Sequence, residues 1–205
     1  SFSNFTNNYT DGSKCPDEYQ KAFDELNLVG VTAVVTAGNN SGSDYRVKSP
    51  AICKDSTQNV VTVAALTPLG YLASYSNGGN VTIAASGGDS AINGVDGFGV
   101  WTTEYNAREK YGVCRDANCF TYSWKNGTSM AAPLVVSAIA DMLSANPSLR
   151  PEQIRSILVA SARPIPAEKH VPRKGKGGKL SDNVGRLDAI RAVEMAKNYS
   201  SLTAN

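Results

Sequence analysis

Histidine is nearly missing from this chain: His170 is the sole one among 205 residues. There is no Cys-x-x-Cys pair to accompany it, and the two scarcities together exclude a structural zinc site. Excess charge is missing as well. Lys and Arg total 20 against 18 Asp and Glu, a net of +2, so electrostatics offers no reason to expect nucleic acid or a membrane surface as a partner. No apolar run approaches the roughly 18 residues that cross a bilayer. Ser1-Phe2-Ser3 carries neither an initiator Met nor the charged and apolar regions of a signal peptide, and a processed or cut end is the expectation there. What remains is an ordinary globular composition, 41% hydrophobic and 19% charged, enough for one domain, or part of one, with a substantial core.

Four cysteines, at 15, 53, 114 and 119, point by their even number to two disulfides and an oxidising compartment. Four buried thiols are the competing reading, and three pairings are open. From Asp17 the pattern is helical: Tyr19, Ala22, Phe23 and Leu26 fall at i, i+3, i+4 and i+7, with Pro16 acceptable at the start. Val29 to Thr36 is a continuous apolar run of the kind that forms a strand covered on both faces, and it ends in Ala37-Gly38-Asn39-Asn40. Asn59 to Ala65 and Val81 to Ala85 read as further strands. Gly87 to Ala107 reads as irregular. Residues Thr103 to Cys119 read as a polar insertion, either a loop on the substrate side or a solvated excursion.

Asn126-Gly127-Thr128-Ser129-Met130-Ala131-Ala132-Pro133 is the most informative stretch. Asn-Gly signals a turn, Thr128 or Ser129 can cap a helix, and an apolar segment from Met130 to Leu143 follows. A hydroxyl in the first turn of a buried helix sits at the positive end of the dipole, where an oxyanion is stabilised. Gly-Thr-Ser alone is explained equally well by an ordinary N-cap. The helix is apolar nearly all round, through Leu134, Val135, Val136, Ala138, Ile139, Met142 and Leu143, and is expected at the centre of the fold. Asn146-Pro147 ends it, and Pro151 opens a helix with Ile154, Ile157 and Leu158 on one face. Arg163 to Asn183, with Arg173, Lys174, Lys176 and Lys179 among glycines and His170 at its edge, reads as a solvated loop. A last helix is predicted from Gly185-Arg186-Leu187-Asp188-Ala189 to about Lys197.

The eight residues from Asn126 to Pro133 resemble the nucleophile motif of the subtilisin-like serine proteases, and Ala37-Gly38-Asn39 after a strand resembles that family's oxyanion-hole segment. The resemblance extends to the Pro50-Ala51 turn, the Ser76-Asn77-Gly78 turn and the closing helix. It implies an α/β fold, a parallel sheet with helices on both faces, of which residues 1–205 are the C-terminal portion. It implies a peptidase in which Ser129 is the nucleophile and Asn39 the side-chain oxyanion donor, with Ser1, Phe2, Ser3, Thr36, Ala37, Gly38 and Thr128 along the substrate. In that family the triad Asp and His precede the Ser, whereas His170 follows it. The implied partners are therefore a segment or chain carrying Asp and His, and a peptide or protein substrate or inhibitor. A non-catalytic, peptide-binding scaffold is the alternative. The family positions pair Cys15 with Cys53 and leave Cys114 with Cys119. No cofactor is implied for the chemistry, though structural calcium is frequent in the family; no ligand cluster in the sequence identifies its site. Six Asn-x-Ser/Thr sequons include Asn39 and Asn126, where a glycan would block the chemistry, so a secreted bacterial protein is the expectation.

Overall fold

A computed structural model describes residues 14–40, 47, 50–55, 57–89, 99–105, 120–165 and 180–199. Helix α1 (Asp17–Leu28) starts after Pro16 with Asp17 and Glu18 in its first turn, where acidic groups complement the dipole. Phe23 is its buried residue and Tyr19 and Leu26 pack partly beside it. Ala22, expected on the same face, is exposed, because the contact is a narrow stripe centred on Phe23.

The chain reverses at Gly30, and the Val31 N–H donates back to the Leu26 carbonyl at 2.9 Å. The apolar run from Val29 is therefore strand only over its second half, β1 (Ala33–Thr36). The expectation of burial on both faces fails here: Val35 alone is buried in β1, and Val29 and Val31 are exposed. The reason is topological. Among the described residues the parallel sheet has the order β1-β2-β3, which puts β1 at an edge. In the middle, β2 (Val60–Leu66) is buried at every position, and β3 (Ile83–Ser86) closes the other side.

Alternation along β2 divides the core. Val61, Val63 and Ala65 face α2 (Thr128–Ala145), with α3 (Pro151–Ser161) and α4 (Ala189–Lys197) completing that side. Val60 faces α1 and a 3-10 turn at Ala51–Asp55, where the Thr62 hydroxyl donates to the Ala51 carbonyl at 2.8 Å. Helices thus cover both faces of a parallel sheet, as the sequence led one to expect. Each fully buried Val of β2 contributes roughly 1.5 to 3 kcal/mol of transfer free energy.

Two expectations need correction. The end of the stretch read as irregular, together with the start of the polar insertion, forms strand β4 (Val100–Tyr105), which pairs antiparallel with β5 (Phe120–Lys125), a stretch given no element from sequence; the pairing sets Trp101 opposite Trp124 and Thr103 opposite Tyr122. The residues between the strands of this hairpin far outnumber those of a tight turn, so no turn signal linked the two alternating stretches. Trp101, Tyr122 and Trp124 share one exposed face, with Trp101 stacked on Tyr122 at 6.0 Å between centroids. Secondly, α2 begins at Thr128, two residues before the predicted start, and is one-sided. Ala131, Ala132, Val135, Ala138, Ile139 and Met142 are buried, while Leu134 and Val136 are exposed. By length and composition α2 could cross a bilayer, contrary to the reading that no run approaches that length, but it packs on all three strands and on α4 as a core helix. Pro133 lies beyond the first four positions of α2, so the helix continues with one ladder bond fewer, that to the Ser129 carbonyl.

Arg163 and Arg186 exchange backbone hydrogen bonds at 2.9 and 2.8 Å and close the base of the Arg163 to Asn183 excursion. His170, Arg173, Lys174, Lys176 and Lys179 lie outside the described residues, as do Ser1, Phe2, Ser3, Cys114 and Cys119. Asp188 caps α4: its Oδ1 accepts the Arg191 N–H at 3.1 Å, and its Oδ2 accepts from the Arg163 Nε–H. The Arg191 N–H first, and then the Arg163 guanidinium, hold the Asp188 carboxyl below its ordinary range.

A disulfide joins Cys15, just before α1, to Cys53 in the 3-10 turn, across 38 residues. Closing a loop of that length removes roughly 3 to 4 kcal/mol of entropy from the unfolded chain. Replacing both cysteines with serine should lower the unfolding free energy by that order, measured by denaturant titration. A loss well under 1 kcal/mol would show that the crosslink does not constrain the unfolded ensemble. Non-reducing peptide mapping should recover residues 15 and 53 in one crosslinked pair.

Candidate active site

Two parallel-sheet ends and one helix start converge at Ser129. β1 runs through Ala37, whose N–H donates to the Val63 carbonyl at 2.9 Å, so the pairing with β2 continues one residue beyond the strand. Gly38 then adopts φ +107, and a Cβ there would lie 2.7 Å from the Asn77 amide nitrogen. Both the dihedral and the contact require glycine. The turn leaves Asn39 exposed at the sheet edge, opposite the start of α2.

There Asn39 Oδ1 accepts two hydrogen bonds, from the Thr128 N–H at 3.0 Å and from the Thr128 hydroxyl at 2.8 Å. A backbone N–H can only donate, which fixes which end of the amide faces Thr128. The other end, Nδ2, is turned outward. Gly127 shows where: a Cβ built on it would lie 3.5 Å from Asn39 Nδ2, 3.6 Å from Ser129 N and 3.9 Å from Ser129 Cβ. The missing side chain of Gly127, at φ +150, leaves a hollow that has an amide nitrogen from each of two elements on its wall. The hollow lies at the N-terminus of an 18-residue helix, whose dipole favours negative charge.

The segment 73–78 closes the back of this arrangement. The Gly127 N–H is shared between Tyr75 Oη at 2.8 Å and the Gly87 carbonyl at 3.0 Å, and the Tyr75 hydroxyl in turn donates to the Gly87 and Gly88 carbonyls at 2.8 and 2.6 Å. Asn77, fully buried, donates its N–H to the Gly38 carbonyl at 2.8 Å and accepts the Asn40 N–H on Oδ1 at 2.7 Å. Buried Asp89 accepts from the Ser74 backbone N–H and from its hydroxyl. On the side of the hairpin, a Cβ on Gly99 would lie 2.9 Å from the Lys125 carbonyl, so β4 presses closely on the residues leading into Asn126.

The structure therefore brings Ser129, Thr128 and Asn39 together and sets Thr36, Ala37 and Gly38 on the strand that delivers Asn39. Tyr75 and Asn77 were not identified from sequence as site residues. The Ser76-Asn77-Gly78 turn was visible there, but nothing local shows that Asn77 faces Gly38 or that the Tyr75 hydroxyl faces Gly127. Among the described residues no group of three or more His, Cys, Asp or Glu could hold a metal ion.

Burial pushes the Tyr75 phenol above its ordinary value of 10.0; the Gly127 N–H opposes the rise and the nearby Asp89 charge adds to it. A raised folded-state value means that the fold prefers the neutral phenol. Its contribution is complete below the unfolded value and is lost as pH climbs past it. Stability should therefore fall with pH above about 10, and less steeply in Tyr75→Phe. Denaturant midpoints measured against pH in both proteins check this; equal slopes would assign the alkaline loss to another group.

A profile of the subtilase family matches residues 4–186. The chain is 33% identical over 156 residues to an extracellular protease of Xanthomonas campestris pv. campestris, covering 76% of this chain and 23% of that protein. It is 29% identical over 147 residues to a calcium-dependent protease of Nostoc sp. strain PCC 7120, covering 69% and 22%. Among solved structures, a protease of Pseudoalteromonas arctica PAMC 21717 matches with a TM-score of 0.67 at 32% identity, over 89% of this chain and 48% of that one. The chain thus spans under a quarter of the length of these curated relatives and about half of that solved chain. With the profile matched over nearly its whole length and the α/β fold shared, the chain belongs to the subtilase family of serine proteases.

Proposed function

We propose that this chain is the nucleophile-bearing part of a secreted serine endopeptidase, with Ser129 as nucleophile and Asn39 as side-chain oxyanion donor. The observation that carries the reading is the hollow over Gly127, approached by Asn39 Nδ2 and Ser129 N at 3.5 and 3.6 Å. In this mechanism Ser129 Oγ attacks the peptide carbonyl carbon while its proton passes to a histidine. The carbonyl oxygen becomes an oxyanion held by the Asn39 Nδ2–H and the Ser129 N–H. Collapse breaks the C–N bond, the histidine protonates the leaving amine, and water then cleaves the acyl-enzyme. Substrate backbone lies as an added strand along Thr36, Ala37 and Gly38, with Ser1, Phe2 and Ser3 on the opposite wall and Thr128 beside the reacting bond.

The histidine and its orienting aspartate come from a partner segment outside these 205 residues. His170 follows Ser129 in sequence and no described residue is a histidine. The docking place for that segment is the edge of β1 ahead of Thr36, where β1 pairs only with β2 among the described residues. An open parallel edge exposes unpaired backbone groups that another strand satisfies. Exposed Leu28, Val29 and Val31, in the segment that leads into β1, supply apolar surface for the same contact. Secretion is supported by the Cys15–Cys53 disulfide, and by the extracellular relative. Structural calcium is part of this reading, supported by the calcium-dependent protease of Nostoc among the relatives.

Three outcomes follow. In the complete protein, Ser129→Ala should cost on the order of a millionfold in turnover, and Asn39→Ala roughly 100- to 1,000-fold with little change in KM, magnitudes carried over from subtilisin. A serine-directed fluorophosphonate should label Ser129 there. The 205-residue chain alone should neither turn over a peptide nor be labelled. Turnover by the chain alone that is lost in His170→Ala would replace the partner histidine by His170. Peptide binding by the complete protein with no turnover and no labelling would instead favour the non-catalytic scaffold.

A further inference from the structure

We infer that Tyr75 and Asn77 are positioning residues, the two ends of one brace that holds Asn39 and the Ser129 turn in register. The inference rests on the reading of Asn39 and Ser129 given above. Asn39 belongs to a surface turn and Ser129 to a helix, 90 positions apart in sequence, and an oxyanion hole works only if the two amides keep their spacing to a fraction of an ångström. Their direct link is the Asn39–Thr128 pair of hydrogen bonds. That pair fixes one point of each element and leaves both turns free to rotate about it.

The brace removes that freedom. Asn77 bonds on both sides of Asn39: its N–H donates to the Gly38 carbonyl and its Oδ1 accepts the Asn40 N–H. Two residues earlier, Tyr75 Oη accepts the N–H of Gly127, the residue immediately before Thr128. Ser76 pins the brace to the centre of the sheet, since its Oγ accepts the Ala65 N–H at 2.9 Å and its hydroxyl donates to the Asn77 carbonyl at 2.9 Å. The hydrogen bonds form a closed ring, from Asn77 to the Gly38–Asn40 turn, from Asn39 to Thr128, and from Gly127 back to Tyr75. Asn77 is fully buried and Tyr75 half-buried, so water competes weakly for these bonds. The Tyr75 hydroxyl is engaged with Gly127 on one side and the Gly87 and Gly88 carbonyls on the other. It acts through the turn and not on substrate.

The test has two arms. In the complete protein, Tyr75→Phe and Asn77→Ala should each lower kcat about 10- to 100-fold, the order of loss that misplacing reacting groups by about 1 Å produces. KM should stay within about twofold, because the loss is confined to the transition state. In the Asn39→Ala background, Asn77→Ala should cost less than about twofold, since the group it positions is gone. In the 205-residue chain, amide exchange followed by NMR should show Gly127, left with the Gly87 carbonyl as acceptor, losing part of its protection in Tyr75→Phe and Asn40 losing it in Asn77→Ala, with the β2 amides unchanged. Equal cost of Asn77→Ala with and without Asn39, or a change falling on KM, overturns the positioning role. Unchanged protection at Gly127 and Asn40 overturns the brace itself. A complete protein that is inactive and unlabelled refutes the proposed reaction, and with it the positioning role, while the exchange arm still decides whether the brace exists.

Discussion

The two hydrogen bonds between Asn39 Oδ1 and Thr128 join the C-terminal end of an edge strand to the first residue of the central helix. Nothing in the chain path keeps those elements together: Asn39 and Thr128 are 89 positions apart, with two strands and the hairpin between them. Contacts so distant in sequence carry a large loop-closure cost. That cost is met by the packing of α2 on Val61, Val63 and Ala65, which brings the helix over the sheet. The polar contacts then set the last ångström. Hydrophobic burial is non-directional and brings elements together, whereas hydrogen bonds with fixed donors and acceptors set their register.

Burial is distributed to suit that task. β2 is dry along its whole length, while the segment leading into β1 and the outward side of α2 keep apolar residues in solvent. The turns that carry Asn39 and Ser129 lie where a buried interior meets an open rim, so each is anchored on one side and accessible on the other. A parallel sheet also places the ends of β1 and β3 on the same side, and the Asn39 turn and the Gly87–Gly88 carbonyls meet there around Gly127. Ligand sites in open α/β sheets gather at such carboxyl ends for this topological reason.

Polar groups buried near the site are satisfied by local geometry. Asp89 takes both Ser74 donors, Ser76 bridges Ala65 and Asn77, and Tyr75 spans three glycines. Each unsatisfied group of this kind would cost about 1 to 3 kcal/mol. The network therefore leaves few alternative conformations for residues 74–77, and the rigidity that gives the site its geometry is a product of the same accounting.

Much was legible in the residues themselves. Val-rich runs ahead of glycine turns marked the strands, though not which of them is buried, and Pro151 with Ile154, Ile157 and Leu158 marked α3 and its buried face. Asn126-Gly127-Thr128-Ser129 announced a helix start with a hydroxyl in its first turn, because turn chemistry and apolar periodicity are local properties. Three features depended on the fold. The β4–β5 hairpin needed strands too far apart for any turn signal, and the exposure of Val29, Val31, Leu134 and Val136 followed from β1 being an edge and α2 being covered on one side. The roles of Tyr75 and Asn77 followed from what faces them. A sequence records which groups are present and how the chain bends nearby; which N–H meets which hydroxyl across 52 positions, as with Gly127 and Tyr75, is decided only when the core has packed.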